Sequence, residues 1–109
     1  MAQTFKNARA VLADTATTVY TCPAGTTAIV IGCQVANIDN ANIMNLQFWW
    51  TDSSNTDAVT YLGYDIEVPS KSAYEPVSGK IVLEAGDSIR GLGSTASKLE
   101  ATVSILELS

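Results

Sequence analysis

Met44-Asn45-Leu46-Gln47-Phe48-Trp49-Trp50-Thr51 alternates apolar and polar residues through Phe48 and then breaks the pattern. Side chains of a strand point to opposite faces in turn, so Met44, Leu46, Phe48 and Trp50 share the face that a half-buried strand turns to a core. The other face reads Asn45, Gln47, Trp49 and Thr51. A tryptophan stands where the pattern calls for a polar residue. An outward apolar residue of that size on a small β-domain marks a contact surface.

Working outward, turn signals recur at short intervals: Pro23-Ala24-Gly25, Asp39-Asn40, Asp52-Ser53-Ser54-Asn55, Pro69-Ser70, Ser78-Gly79, Ala85-Gly86-Asp87 and Gly93-Ser94. That spacing belongs to an all-β sandwich or barrel. Strands are predicted over 5–12, 17–22, 26–37, 44–52, 58–68, 80–84, 87–92 and 99–108, with a short extra one through 73–77. β-branched residues are abundant, and no long window keeps the i, i+3, i+4 apolar stripe of a helix. The expected fold is a single antiparallel β-sandwich, jelly-roll-like or immunoglobulin-like, of about seven to nine strands. With no repeat, low-complexity tract or linker, residues 1–109 read as one domain.

The chain has 109 residues, 47% of them apolar, enough for one modest core. Six basic residues stand against eleven acidic ones, a formal net charge of −5. The basic residues are scattered singly, which argues against nucleic acid and against an anionic membrane as partners. No stretch approaches the length of an apolar membrane-spanning helix. The N-terminus lacks a basic segment followed by an apolar one, so the expectation is a cytoplasmic product without an export signal.

Cys22 directly precedes the Pro23-Ala24-Gly25 turn, and Cys33 lies well along the strand that leaves it. If the flanking strands form a hairpin, Thr26 or Thr27 faces Cys22, and Cys33 is roughly 20 Å further on at about 3.3 Å per residue. A disulfide needs Cα atoms within about 7 Å, so both cysteines are expected to be free thiols.

The strand faces point to contact residues. In 26–37, Ile29, Ile31, Cys33 and Val35 are expected to share one face. In 58–68, Leu62, Tyr64, Ile66 and Val68 are expected inside, with Val59 and Tyr61 outside. In 99–108, Leu99, Ala101, Val103 and Ile105 line one face, and Leu106 and Leu108 fall on the other. Phe48 and Trp50 are assigned to the core and Trp49 to the outside. Outward Trp49, Tyr61, Leu106 and Leu108 are costly to leave wet, so either loops or another subunit cover them. A homo-oligomer, a trimer by preference, is the expectation. Residues 1–12 read either as an edge strand or as an arm, in which Phe5 is an aromatic anchor and Lys6 and Arg9 offer charge to an acidic partner. The candidate subunit or partner contacts are Phe5, Arg9, Trp49, Val59, Tyr61, Leu106 and Leu108.

Catalytic constellations are hard to build. The chain has no histidine, which removes Ser-His-Asp and Cys-His catalysis and the commonest metal ligand. Two lone cysteines do not make a tetrahedral zinc site, and no Gly-rich loop opens a helix to cradle phosphate. Asp65 and Glu67 alternate onto one outer face, where carboxylates usually solubilise rather than catalyse. The Asp52–Asp57 loop is rich in oxygen donors but lacks the EF-hand spacing, and Asx turns explain its composition. Trp49 with Tyr61 would suit sugar stacking, but subunit interfaces use the same residues. The expectation is a protein that is not an enzyme, with no cofactor and no metal.

Val19-Tyr20-Thr21-Cys22-Pro23-Ala24-Gly25-Thr26-Thr27-Ala28-Ile29-Val30 resembles a stretch of small virion proteins of tailed bacteriophages, in which a strand enters a Pro-Ala-Gly-Thr turn and a β-branched strand leaves it. Phe48-Trp49-Trp50-Thr51-Asp52 with its Ser/Asn loop, the Val68-Pro69 strand end, and Leu83-Glu84-Ala85-Gly86-Asp87-Ser88-Ile89 resemble the same group. Together they run in order from about Val19 to Leu108. The resemblance implies a β-sandwich bound to the outside of the phage head as a capsid decoration, or cement, protein. Its partner would be the major capsid protein, and its location the virion surface after synthesis in the host cytoplasm. A head-fibre, collar or tail component is the neighbouring role, and a carbohydrate-binding β-sandwich module the alternative from another class.

Overall fold

The computed structural model describes residues 2–109. In chain order the strands are β1 (Gln3–Leu12), β2 (Thr17–Thr21), β3 (Thr27–Asn37), β4 (Met44–Asp52), β5 (Ala58–Val68), β6 (Ala73–Tyr74), β7 (Ile81–Leu83), β8 (Ser88–Gly93) and β9 (Leu99–Leu108). The sole helical piece among the described residues is a 3-10 turn, Ser53–Asn55. The first sheet runs β1-β9-β3, and β6 and β7 both pair with the free edge of β3. The second sheet runs β2-β8-β4-β5. All pairings are antiparallel. Apart from β4–β5 and β6–β7, successive strands switch sheets, the jelly-roll member of the two expected sandwiches.

The two sheets close on one core. Leu12, Ala28, Val30, Val35, Leu83, Leu99, Val103 and Ile105 come from the first sheet, and Met44, Leu46, Phe48, Val68 and Ile89 from the second. Phe48 is fully buried, Trp50 packs against the same cluster, and Trp49 does not belong to it, as the alternation of 44–51 predicts.

Bulges overturn two of the predicted faces. The β3–β9 register shifts between Val30 and Gly32, so Ile31 has no opposite residue. Each bulge reverses the inside–outside phase of the residues beyond it. Ala28 and Val30 therefore share the core side with Cys33 and Val35, and Ile29 and Ile31 face outward. In β5 the register against β4 shifts twice, around Leu62 and around Tyr64-Asp65. Asp65 takes a positive φ of 54° at the second shift. Leu62 and Ile66 still pack on the core, but Tyr64 is 62% exposed, not inward as predicted.

The predicted β2–β3 hairpin is also absent. Pro23-Ala24-Gly25 carries the chain from one sheet to the other, so β2 and β3 are not paired. Cys22 and Cys33 are nevertheless both free and buried. Burial pushes the Cys22 thiol up and drives that of Cys33 to about 12.

The loops hold themselves by side-chain caps. Asp39 Oδ1 accepts from the Ala41 and Asn42 amides at 2.8 Å each, which holds its carboxyl below the usual range, with Lys98 assisting. Buried Asn37 donates through Nδ2 to the carbonyls of Asn42 and Val68 and accepts from the Asp39 amide. Among the described residues no buried side-chain polar atom lacks a partner.

Candidate functional site

The seven predicted contact residues divide between opposite sides of the sandwich. Phe5, Arg9, Leu106 and Leu108 lie on the outer face of the first sheet, and Trp49, Val59 and Tyr61 on that of the second.

On the first sheet, the segment expected as an edge strand or an arm is an edge strand over Gln3–Leu12 and not a detached arm, Met1 lying outside the described residues. β1 pairs with β9 without a register break from Gln3↔Leu108 to Leu12↔Leu99. The Ala2 and Ser109 backbones exchange two further hydrogen bonds. Phe5 sits opposite Leu106, Leu106 opposite Ile29, and Ile29 opposite Val82. One apolar row thus crosses every strand of the sheet at this level, and strand alternation puts all of it on the outside. Its two ends are the most open, with Phe5 72% and Val82 58% exposed. Ile31 stands beside the row, bordering a shallow depression it shares with Phe5 and Asn7. Arg9 lies higher on the same face, in register with Thr102 and, through it, with Gln34.

On the second sheet, Trp49 is opposite Tyr61, with ring centroids 5.7 Å apart edge to face. Tyr61 meets Tyr64 in the same manner at 4.8 Å. Trp49 is only 7% exposed, so its own chain covers most of it and no second subunit is needed to keep it dry. Val59, Tyr61 and Tyr64 remain open along edge strand β5. The available surface is therefore a tyrosine ridge propped on a buried tryptophan. Trp49 and Tyr61, which the sequence offered to sugar stacking only as the lesser alternative, do come together, but Trp49 does not present an open ring face.

Ile29, Ile31, Val82 and Tyr64 were not among the predicted contacts. The signal for three of them was a glycine inside a strand, Gly32 beside Ile31 and Gly63 beside Tyr64, since such a glycine often marks a bulge. Val82 carried no signal, because β7 has only three residues.

Two polar clusters are structural. Asp52, Glu84 and Asp87 bring one carboxylate oxygen each within 4.8 Å of one another. Asp87 Oδ1 accepts from the Ser53 amide at 2.9 Å and from Ser53 Oγ at 3.1 Å, and Oδ2 accepts from the Glu84 amide at 2.9 Å. Asp52 Oδ1 accepts from Ser54 as the cap of the 3-10 turn, the Asx geometry expected of this loop. Elsewhere, the Tyr20 hydroxyl donates to Glu107 Oε2 at 2.6 Å, and Lys6 Nζ lies 3.3 Å from Oε1. Burial, then the neighbouring Glu107, raises the Tyr20 phenol far above its ordinary value. The Tyr20 hydrogen bond, followed by Lys6, holds Glu107 below the usual carboxylate range. This trio ties β2 of one sheet to β9 and β1 of the other.

No family model matches the sequence, and no curated protein matches it. Among solved structures the chain is similar to one from Bacillus endospore appendages, described as a family of disulfide-linked pili, with a TM-score of 0.59 and 14% identity over 99% of this chain and 87% of that one. At that identity the likeness is one of fold: this chain shares a two-sheet β architecture with a structural protein.

Proposed function

We propose that this protein is a non-catalytic structural component of a larger particle, most specifically a capsid decoration protein on the outer surface of a phage head. The observation that carries this reading is apolar surface on both outer faces of a domain whose interior polar groups are satisfied. Surface of that kind marks protein contacts. The phage-like strings from Val19 to Leu108 supply the particle. The role needs no cofactor and no reaction. Its partner is the major capsid protein, whose neighbouring subunits it bridges, and its location is the virion surface. Many weak contacts on a symmetric shell add through effective concentration.

A second reading, a self-assembling filament subunit, draws on the fold shared with a pilus protein and on the opposed placement of the two faces. Contacts on opposite sides propagate a chain of subunits and do not close a ring. Cys22 and Cys33 are both buried, so a filament of this chain would be held by packing and not by their disulfides. Mass spectrometry of purified phage particles separates the readings. A fixed copy number per major capsid subunit supports decoration. Absence from the particles, with filaments formed by the pure protein, supports the second reading.

A further inference from the structure

We infer that a second copy of this chain packs on the outer face of the first sheet, about a two-fold axis parallel to the strands. The argument is the self-complementarity of that face. Such an axis lays the β1 edge of one copy over the β6–β7 edge of the other and keeps every residue at its own level along the strands. At the apolar row, Phe5 then meets the partner's Val82, and Leu106 meets the partner's Ile29. The large ring at one end of the row falls on the small side chain at the other, and no two of the bulkiest groups collide.

Arg9 and Glu75 obey the same operation, and Glu100, level with Val11 and Ala36, falls on the partner's Ala36. Arg9 lies at the level of Thr102 and Gln34. On the far edge Tyr74 pairs with Val35, so the next residue, Glu75, comes level with Gln34. Exposed Glu75 indeed borders one depression with Gly32, Gln34, Thr102 and Ser104 of this face. The two-fold sets each Arg9 against the partner's Glu75, giving two opposed charge pairs from a single operator. A two-fold axis perpendicular to the strands would instead reverse the levels and carry Arg9 away from Glu75. Between the rows lie the small polar residues Asn7 and Ser104, which already hydrogen-bond each other at 3.0 Å and leave no unpaired charge to bury.

Strands β1, β9 and β3, about 4.8 Å apart and about 30 Å long, with the short β6 and β7 along one edge, give roughly 500 Å² per copy. The total of about 1,000 Å² is at the low end of specific interfaces, so the dimer is reversible. A two-fold contact uses each face once, and it leaves the tyrosine ridge on the opposite side free. The pairing is a property of the chain in solution, independent of which particle it serves.

Sedimentation equilibrium on the full chain tests the inference. The expected wild-type result is a monomer–dimer equilibrium with a dissociation constant on the order of micromolar. Arg9→Glu alone and Glu75→Arg alone should each weaken it about tenfold by setting like charges face to face. The double variant should return to within about threefold of wild type, since the pairs are restored with reversed sign. Val82→Asp should abolish dimerisation while leaving the circular dichroism and melting curve of the monomer unchanged. A short bismaleimide should join Phe5→Cys protein to Val82→Cys protein faster than either to itself. A monomer at every concentration up to about 1 mM overturns the inference. A dimer that the double variant fails to restore, or a faster Phe5→Cys self-crosslink, overturns the proposed axis.

Discussion

Phe48 lies directly over Gly91. A Cβ at Gly91 would stand 2.6 Å from Phe48 Cδ1 and 3.1 Å from the Gln47 carbonyl oxygen. The pair is opposed across β4 and β8, so the ring fills the space a β8 side chain would otherwise take. Phe48→Ala should cost about 3–5 kcal/mol, as for other buried aromatics. Gly91→Ala should cost about 1–3 kcal/mol by overpacking. In the Phe48→Ala background the Gly91→Ala cost should shrink, because the clashing ring is gone and only the Gln47 carbonyl remains close. Urea denaturation of the four proteins measures the coupling; additive costs would show that the two residues do not share that space.

Trp49 gives the contrast within the same strand. It faces away from the core yet is nearly covered, by its own chain. Trp49→Ala should therefore cost about 2–3 kcal/mol, less than Phe48→Ala but well above a surface substitution. A double-mutant cycle with Tyr61→Ala should return a coupling of about 0.5–1.5 kcal/mol for the edge-to-face rings.

Asp87 is buried and joins the Ser53 turn to the 84–87 turn through two backbone amides and one hydroxyl. Asp87→Ala leaves those donors without their acceptor and should cost about 2–4 kcal/mol. Chelators should not change the melting temperature of the wild-type protein, because both Asp87 oxygens and Asp52 Oδ1 already accept from protein donors. A chelator-dependent shift would assign the cluster to a metal.

Tyr20 and Glu107 make stability depend on pH at both extremes. The Glu107 pKa is lowered on folding, so its contribution is present above the unfolded value of about 4.5 and is lost as pH falls through the folded value. The Tyr20 pKa is raised, so its contribution is whole below the unfolded value of about 10 and is lost as pH rises beyond it. Tyr20→Phe should be less stable than wild type at neutral pH, and the gap should narrow in acid as Glu107 is protonated. A constant gap from neutral pH down to acid would mean that the hydrogen bond does not favour the charged carboxylate. Denaturant titrations across the pH series supply the numbers.

Unbroken pairing decides which faces were legible in the sequence. Period-two patterning placed Phe48, Trp50 and Trp49 correctly because β4 pairs with β8 without a break. It failed for Ile29, Ile31 and Tyr64 because an unpaired residue inverts the faces, and the bulges themselves leave only a glycine as their mark. Leu106 and Leu108 were legible as outward because β9 is regular against β1. Their neighbours in the apolar row come from β3 and β7, strands brought alongside by long-range pairing that no local pattern encodes. The division of the contact residues between two opposite faces is a property of topology for the same reason.

The most direct test of the structural role is add-back to phage particles purified without the protein, read as the temperature at which they release DNA. Wild-type protein should bind in a fixed number per particle and raise that temperature, since a ligand of the intact shell alone stabilises it by mass action. Tyr61→Asp/Tyr64→Asp protein, folded but with its exposed ridge charged, should bind at least about tenfold more weakly and protect correspondingly less. Wild-type protein that neither binds nor protects the depleted particles, or particles that are equally robust without it but fail to adsorb to host cells, would contradict the decoration role.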